Sequence, residues 1–361
     1  MSPIPEGECP NSKFAISQHF KANENQSHPA LDLASQEIRL FELKSAPGAF
    51  NIQGKFHCVS LSASIPYTAL SYTWGDPGKS KFIEVGGKRL AIPENLWWFL
   101  RFDESSTLEQ PNRFWIDAIC IDQTNILERN HQVGLMKQIY NNALKVILWL
   151  GKEADNSDLA MNFIANKGSA ALKPKCGGFR KMWTRDEGRA LVALCERGYW
   201  RRIWIIQEII HARRITVLCG KRTFEWQCFE GLYGKLKALE LQLWITHHEY
   251  AGEILYSFAG VMVWQRAYWR HPETPAPSLR KLLEVFEDWQ CTDIRDKIFG
   301  LLGMVKHYPE PVVIEYSKSV EEIYDEVRAL EFGPIAPELR VSMDYLRFCG
   351  LLRRVLKLAE Y

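Results

Sequence analysis

The spacing of apolar and polar side chains changes several times along this chain, and each change marks an element. Residues 38–43 (IRLFEL) alternate apolar and polar positions as a half-buried strand does. A second strand is expected at 56–61, after the turn Ala46-Pro47-Gly48. Residues 67–74 (YTALSYTW) are aromatic and β-branched and stop at GDPG (75–78), a strand running into a turn. Residues 81–90 read as a β-hairpin turning at Gly86-Gly87, and Pro93 sits well to open a short helix through Arg101.

Residues 113–122 (RFWIDAICID) form a continuous apolar run of strand length, which suits a central parallel strand covered on both faces. Asn125 and Glu128 then have the spacing of a capping box, and Val133, Met136, Tyr140 and Ala143 recur at helical intervals. Residues 145–150 (KVILWL) are a further buried strand, stopped by Gly151. Strand, helix and strand predict a right-handed βαβ unit. Helices are expected at 158–164 and 186–197, with a loop at 167–178 between them, and a last strand at 215–219. Beyond it the pattern is mostly helical, and the proline-rich loop 271–277 is the expected boundary of a helical appendage. The polar, unpatterned residues 1–36 are expected to be a flexible N-terminal arm. The division is therefore 1–36 as arm, 37–230 as the principal domain with its densest pattern at 67–220, and 231–361 as a mainly helical C-terminal extension. The expected fold is α/β: a mostly parallel sheet of four or five strands flanked by helices, with N-terminal β-hairpins.

Composition narrows the function. With 47% hydrophobic residues and 13 Trp among 361, the chain can bury a sizeable core. A net charge of +2 and basic residues that come only as pairs, such as Arg201-Arg202 and Arg213-Arg214, argue against nucleic acid as a partner. The nine cysteines contain no C-x-x-C and no zinc-ligand spacing, so reduced thiols and no metal site are expected. The N-terminus lacks a basic segment followed by an apolar one, and the longest apolar stretch, 254–264, is too short to span a bilayer. A cytoplasmic chain without a membrane span is the expectation.

Candidate chemistry is sparse. No Ser-His-Asp or Cys-His arrangement, phosphate-binding loop or G-x-G-x-x-G is present. Asp117 interrupts an apolar run, where an unpaired charge is costly, so it needs a partner from Arg129, Arg201 or Arg202, or a ligand. Glu208 either pairs with Arg201, Arg202 or Arg213 or serves as a reactive carboxylate. Trp74, Gly75 and Asp76 either line a nucleotide site at the carboxyl edge of a parallel sheet or form a structural turn. Asp122 and Gln123 either cap the next helix or gate a ligand.

Four blocks in this order resemble the fungal heterokaryon incompatibility (HET) domain family. They are YTALSYTWGD (67–76), FWIDAICIDQ (114–123), the pattern Glu128, Arg129, Gln132, Val133, Met136, Tyr140 with WLG at 149–151, and RRIWIIQE (201–208). A looser fifth block, DIRDKIFGLLG (293–303), also recurs in that family, and Glu315 before Tyr316-Ser317 replaces an Asp more usual there. The resemblance implies that 37–230 is the HET domain. It implies action in fungal programmed cell death and innate self/non-self recognition, through self-association and an upstream sensor protein. The family is thought to share its architecture with Toll/interleukin-receptor (TIR) domains. Some of these cleave the nicotinamide–ribose bond of NAD with one glutamate on the helix that RRIWIIQE resembles. By that likeness Glu208 is the catalytic carboxylate, with Trp74, Gly75, Asp76, Asp122 and Trp204 around the ligand. NAD is then a substrate, and no cofactor is required. A carboxylate there offsets the oxocarbenium charge as the bond breaks.

Overall fold

A computed structural model describes residues 28–44, 51–102, 112–166, 182–238, 249–305, 313–333 and 342–359. The turn at Ala46-Pro47-Gly48, the loop at 167–178 and most of the expected N-terminal arm lie outside them. Residues 28–36 of that arm are described, and they pack on the sheet. The His28 ring meets the carbonyl of Ile119 at 3.0 Å, and the Pro29 carbonyl accepts from Arg39.

One mixed sheet of nine strands organises the molecule: β1 (Glu37–Leu43), β2 (Gln53–Ser60), β3 (Thr68–Tyr72), β4 (Ser80–Val85), β5 (Lys88–Pro93), β6 (Arg113–Trp115), β7 (Lys145–Trp149), β8 (Ile215–Cys219) and β9 (Arg222–Glu225). Their spatial order is β5-β4-β2-β1-β6-β3-β7-β8-β9. This corrects the expected mostly parallel sheet of four or five strands. A parallel run, β6-β3-β7-β8, occupies the middle. Antiparallel pairs flank it: β1 with β2 and with β6, β4 with β5, and β8 with β9. The expected N-terminal hairpins are thus not appendages. β1 bonds directly to β6, so they extend the central sheet. Residues 215–219 are not the last strand either, because Gly220, at φ +52°, turns the chain back into β9.

The hairpin β4–β5 turns at Gly86 and Gly87, whose φ values of +59° and +80° are those of a two-residue type I′ turn. A second correction concerns the run 113–122. Only Arg113–Trp115 is strand. Asp117–Cys120 winds into a helical turn, α2, with Cys120 N–H bonded to the Ile116 carbonyl. A short apolar run carries no period that separates a buried strand from a buried helical turn.

The helices that position the candidate site are α1 (Glu94–Phe102), α3 (Ile126–Asn142), α4 (Ser157–Asn166), α5 (Arg185–Cys195) and α6 (Ile205–His211). Asn125 caps α3 by accepting the Glu128 N–H, and Thr184 and Glu187 close a full capping box on α5. α3 packs against α6, and its Met136 and Tyr140 are buried as their spacing predicts. Further along come α7 (Trp226–Ala238), α8 (Ala251–Tyr256), α9 (Phe258–Arg270), α10 (Leu279–Val285), α11 (Asp296–Leu302), α12 (Val320–Phe332) and α13 (Met343–Leu356). Among the described residues no helix is long and apolar enough to cross a membrane. The seven described cysteines are unpaired.

Helices from the C-terminal extension hold α6 in place. Arg266 and Arg270 on α9 donate to the carbonyls of Ile209, Ile210 and Ala212, which end α6 without helical partners. Gln207 donates to the Phe299 carbonyl of α11 at 3.2 Å. A side chain at Gly300 would press on Ile203, and one at Gly303 would collide with Gln207. The fifth block of the sequence pattern therefore packs directly under the fourth.

Candidate functional site

β3 enters the centre of the sheet with all five side chains buried. Ser71, one residue before its end, turns its hydroxyl onto two partners at once. It donates to Glu208 Oε2 from α6 and meets the Tyr199 hydroxyl at 2.6 Å. Glu208 is 2% exposed. Its charged partner is Arg202, whose Nη1 stands 3.9 Å from Oε2, long for an ion pair. That Nη1 is buried and has no hydrogen-bond partner of its own, although 19% of the Arg202 side chain remains exposed. Burial pushes the Glu208 carboxyl up to about 7, against the opposing pull of Arg202 and Ser71.

Asp117 is the second acid of this cluster. Opening the helical turn α2, it accepts from Trp74 Nε1 at 2.9 Å and from the Ala118 N–H at 2.7 Å. Burial raises its carboxyl, and Arg202 is the main opposing influence. Arg202 itself is held above its usual range: its burial works the other way, but Glu208 and Asp117 together outweigh it. One guanidinium thus serves two buried carboxyl groups. The phenols of Tyr72, Tyr140 and Tyr199 close around them. Burial, then the nearby acids, keeps all three well above the ordinary phenol range. The arrangement can store or release a proton on Glu208 near neutrality, and it can orient dipoles about Arg202.

The other candidate residues fall elsewhere. Gly75 adopts φ +84°, and Asp76 is exposed and accepts the Gly78 N–H at 2.9 Å, the geometry of a structural turn. The carboxyl edge between β3 and β7, where a parallel sheet reverses its winding, is filled by side chains. Asn95 of α1 donates to the Thr73 carbonyl and accepts from Trp149 Nε1, while Arg197 bonds the Leu150 and Lys152 carbonyls. Asp122 caps the loop before α3 through Thr124 and belongs to a different cluster. Trp204 meets a different acid. It stands at the N-cap of α6, before the regular turns begin, and reaches Asp296 of α11. Its carbonyl accepts the Glu208 N–H at 3.3 Å, so the two residues are one helical turn apart, but its side chain is taken up by Asp296 and not by the Glu208 cluster. So the structure brings together Glu208, Asp117, Arg202 and Trp74, and it separates Asp76, Asp122 and Trp204 from them.

The cluster around Asp122 contains a residue that the pattern had placed on a half-buried strand. Arg39 is fully buried. Its guanidinium meets Glu128 through two bonds, of 2.8 and 3.1 Å, and also donates to the Cys120 carbonyl at 2.6 Å. Glu128 in turn accepts the Asp122 N–H at 2.7 Å. An arginine in an alternating strand reads as solvent-facing, and no local signal shows that residues 28–36 and α3 cover that face. Asp296 is a further buried acid. Its carboxyl is raised to about 6 by burial, and it accepts from the Tyr316 hydroxyl at 2.6 Å. Among the described residues no group of three His, Cys, Asp or Glu side chains could hold a metal ion.

The four motif blocks meet within this geometry: the YTALSYTWGD strand supplies Ser71 and Trp74, FWIDAICIDQ supplies Asp117, the block from Glu128 to Gly151 supplies Tyr140, and RRIWIIQE supplies Arg202 and Glu208. Residues 67–208 match the family described as "Heterokaryon incompatibility protein (HET)". One similar protein is "Heterokaryon incompatibility protein 6, OR allele" of Neurospora crassa, 26% identical over an alignment covering 76% of this chain and 48% of the relative. The chain thus spans about half the length of that curated relative. No solved structure matches. The matched segment ends at Glu208, whereas its last helix is capped by Arg266 and Arg270 from outside that segment.

Proposed function

We propose that this chain works in heterokaryon incompatibility, as a cytoplasmic module of a fungal self/non-self response that ends in cell death. It acts by association of its HET segment with other copies and with an upstream sensor. The match of residues 67–208 and the Neurospora relative support the incompatibility role. The enclosure of Glu208, 2% exposed and bonded to Ser71, favours a signalling scaffold over an open catalytic cleft. The parallel run β6-β3-β7-β8 is what supports a TIR-like reading of the core. The test is expression in a filamentous fungal host. The wild-type chain is expected to lower viability, and Glu208→Gln, which keeps the shape and the Ser71 contact, is expected to leave that toxicity intact. Normal growth at verified expression of the wild-type protein would count against the module.

One arrangement favours a second reading, NAD cleavage by Glu208: a buried carboxyl, pushed up to about 7 by its burial, stands beside Ser71 and 3.9 Å from Arg202, and carboxyl groups perturbed in this way cluster at functional sites. In this reading Arg202, with its partly exposed side chain, marks the way in. Purified protein incubated with NAD under conditions that promote assembly would release nicotinamide, and Glu208→Ala would not. Absence of release, or equal release by the variant, removes this reading.

A further inference from the structure

Away from the buried acids, a cavity of about 290 Å³ opens where residues 28–29 cross β2 beside the β4–β5 hairpin. Its apolar surface is supplied by Phe56 and Val85, and the His28 ring stands 5.3 Å from that of Phe56, tilted by 31°. Gly86, in the left-handed region at φ +59°, forms part of the wall at the hairpin turn, where its own N–H is already bonded to the Gly54 carbonyl. Pro29, Lys55 and Lys88 complete the lining among the described residues, none of which is acidic.

The charge balance beside the cavity is uneven. The carboxylate facing Lys55 is Glu42 at 3.5 Å, and Glu42 also accepts from Lys44 and His57. One acid therefore answers two lysines and a histidine. Lys88 is exposed and makes no salt bridge with a described residue. Arg39 stacks on Phe56 at 5.7 Å, but Glu128 neutralises it. The His28 ring is held below its usual range, by burial first and then by Arg39, so it stays neutral and offers an aromatic face instead of a charge. Flat aromatic walls with a cationic rim suit a planar ring that carries an anion.

We propose that this cavity binds a small aromatic anion of nucleoside monophosphate size, its ring against Phe56 and His28 and its phosphate or carboxylate at Lys88 and Lys55. The site is separate from the Glu208 cluster and does not depend on the function proposed above. Calorimetric titration of the full chain with AMP, adenosine and inorganic phosphate tests it. AMP should bind saturably, with adenosine and phosphate each weaker by about tenfold or more, because each keeps one half of the recognition. Lys88→Glu should weaken AMP at least about fivefold, since the side chain is exposed and the fold is indifferent to it. Phe56→Leu should weaken AMP and adenosine alike at unchanged secondary structure. AMP binding that is absent, that survives Lys88→Glu and Phe56→Leu unchanged, or that inorganic phosphate matches would overturn the proposal.

Discussion

Among the described residues two arginine–glutamate pairs lie buried, Arg39 with Glu128 and Arg202 with Glu208, and they are built to opposite standards. Arg39 and Glu128 meet through two short bonds, and the remaining donors and acceptors are taken up by the Cys120 and Pro29 carbonyls and the Asp122 N–H. Arg202 and Glu208 stand 3.9 Å apart, the arginine is shared with Asp117, and its Nη1 finds no hydrogen bond. A buried charge is tolerable when its partners satisfy it and is otherwise a reservoir of strain or a place for chemistry. By that measure the first pair fastens the N-terminal strands to α3. The second is a poised site, and it is the one that the HET blocks assemble.

Breaking the satisfied pair should cost the most. Arg39→Met leaves Glu128 buried without its cation, and a loss of about 3–5 kcal/mol is expected in urea unfolding. A loss below about 1 kcal/mol would mean that the pair is not what fastens the N-terminal strands to α3. Arg202→Met should cost less, about 1–3 kcal/mol at pH 8, because Glu208 can respond by taking up a proton. The variant should recover stability as the pH is lowered to 5. A loss that does not change with pH would show that the two acids do not depend on this arginine.

Glu208→Gln should have the smallest effect near neutrality, and its signature is a slope. The carboxyl lies at about 7 in the fold against 4.5 in an exposed chain. Folding therefore favours its neutral form. That contribution is complete below pH 4.5 and is lost as the pH rises through about 7, an effect on the order of 3 kcal/mol across the window. His211 works in the opposite sense. Burial lowers it to about 4 from 6.5, so its contribution is complete above pH 6.5 and is lost as the pH falls towards 4. Subtracting the wild-type melting curve from that of Glu208→Gln removes the His211 part. The difference should rise in favour of the variant from pH 4.5 to 8. A flat difference would mean that Glu208 is ionised throughout.

Much of the site was legible before the fold was known, residue by residue. Asp117 sat in an apolar run where an ion needs a partner, and Arg202 belongs to the set that could supply it. The same logic named Arg202 among the partners of Glu208. The errors have long-range causes. Trp204 stands one helical turn before Glu208, but its side chain is engaged by Asp296 of α11, a partner no local pattern announces. Arg39 looked solvent-facing because it alternates with apolar neighbours, and the cover over it comes from α3, far along the chain. Ser71 and Tyr199 carried no signal at all, since a hydroxyl in a strand or a short turn is unremarkable until an acid is brought to it.

Elements follow from short-range rules: a repeat of two or of three to four residues, a glycine that must take positive φ, an asparagine three residues before a glutamate. These were written in the chain, as were the HET blocks. Which strands join one sheet, and in which direction, was not, because hydrogen bonding between strands is indifferent to sequence distance. The same holds for charge. The sequence could say that Asp117 and Glu208 needed an arginine. Only packing decided that one arginine would serve both, and at a distance too long to satisfy either.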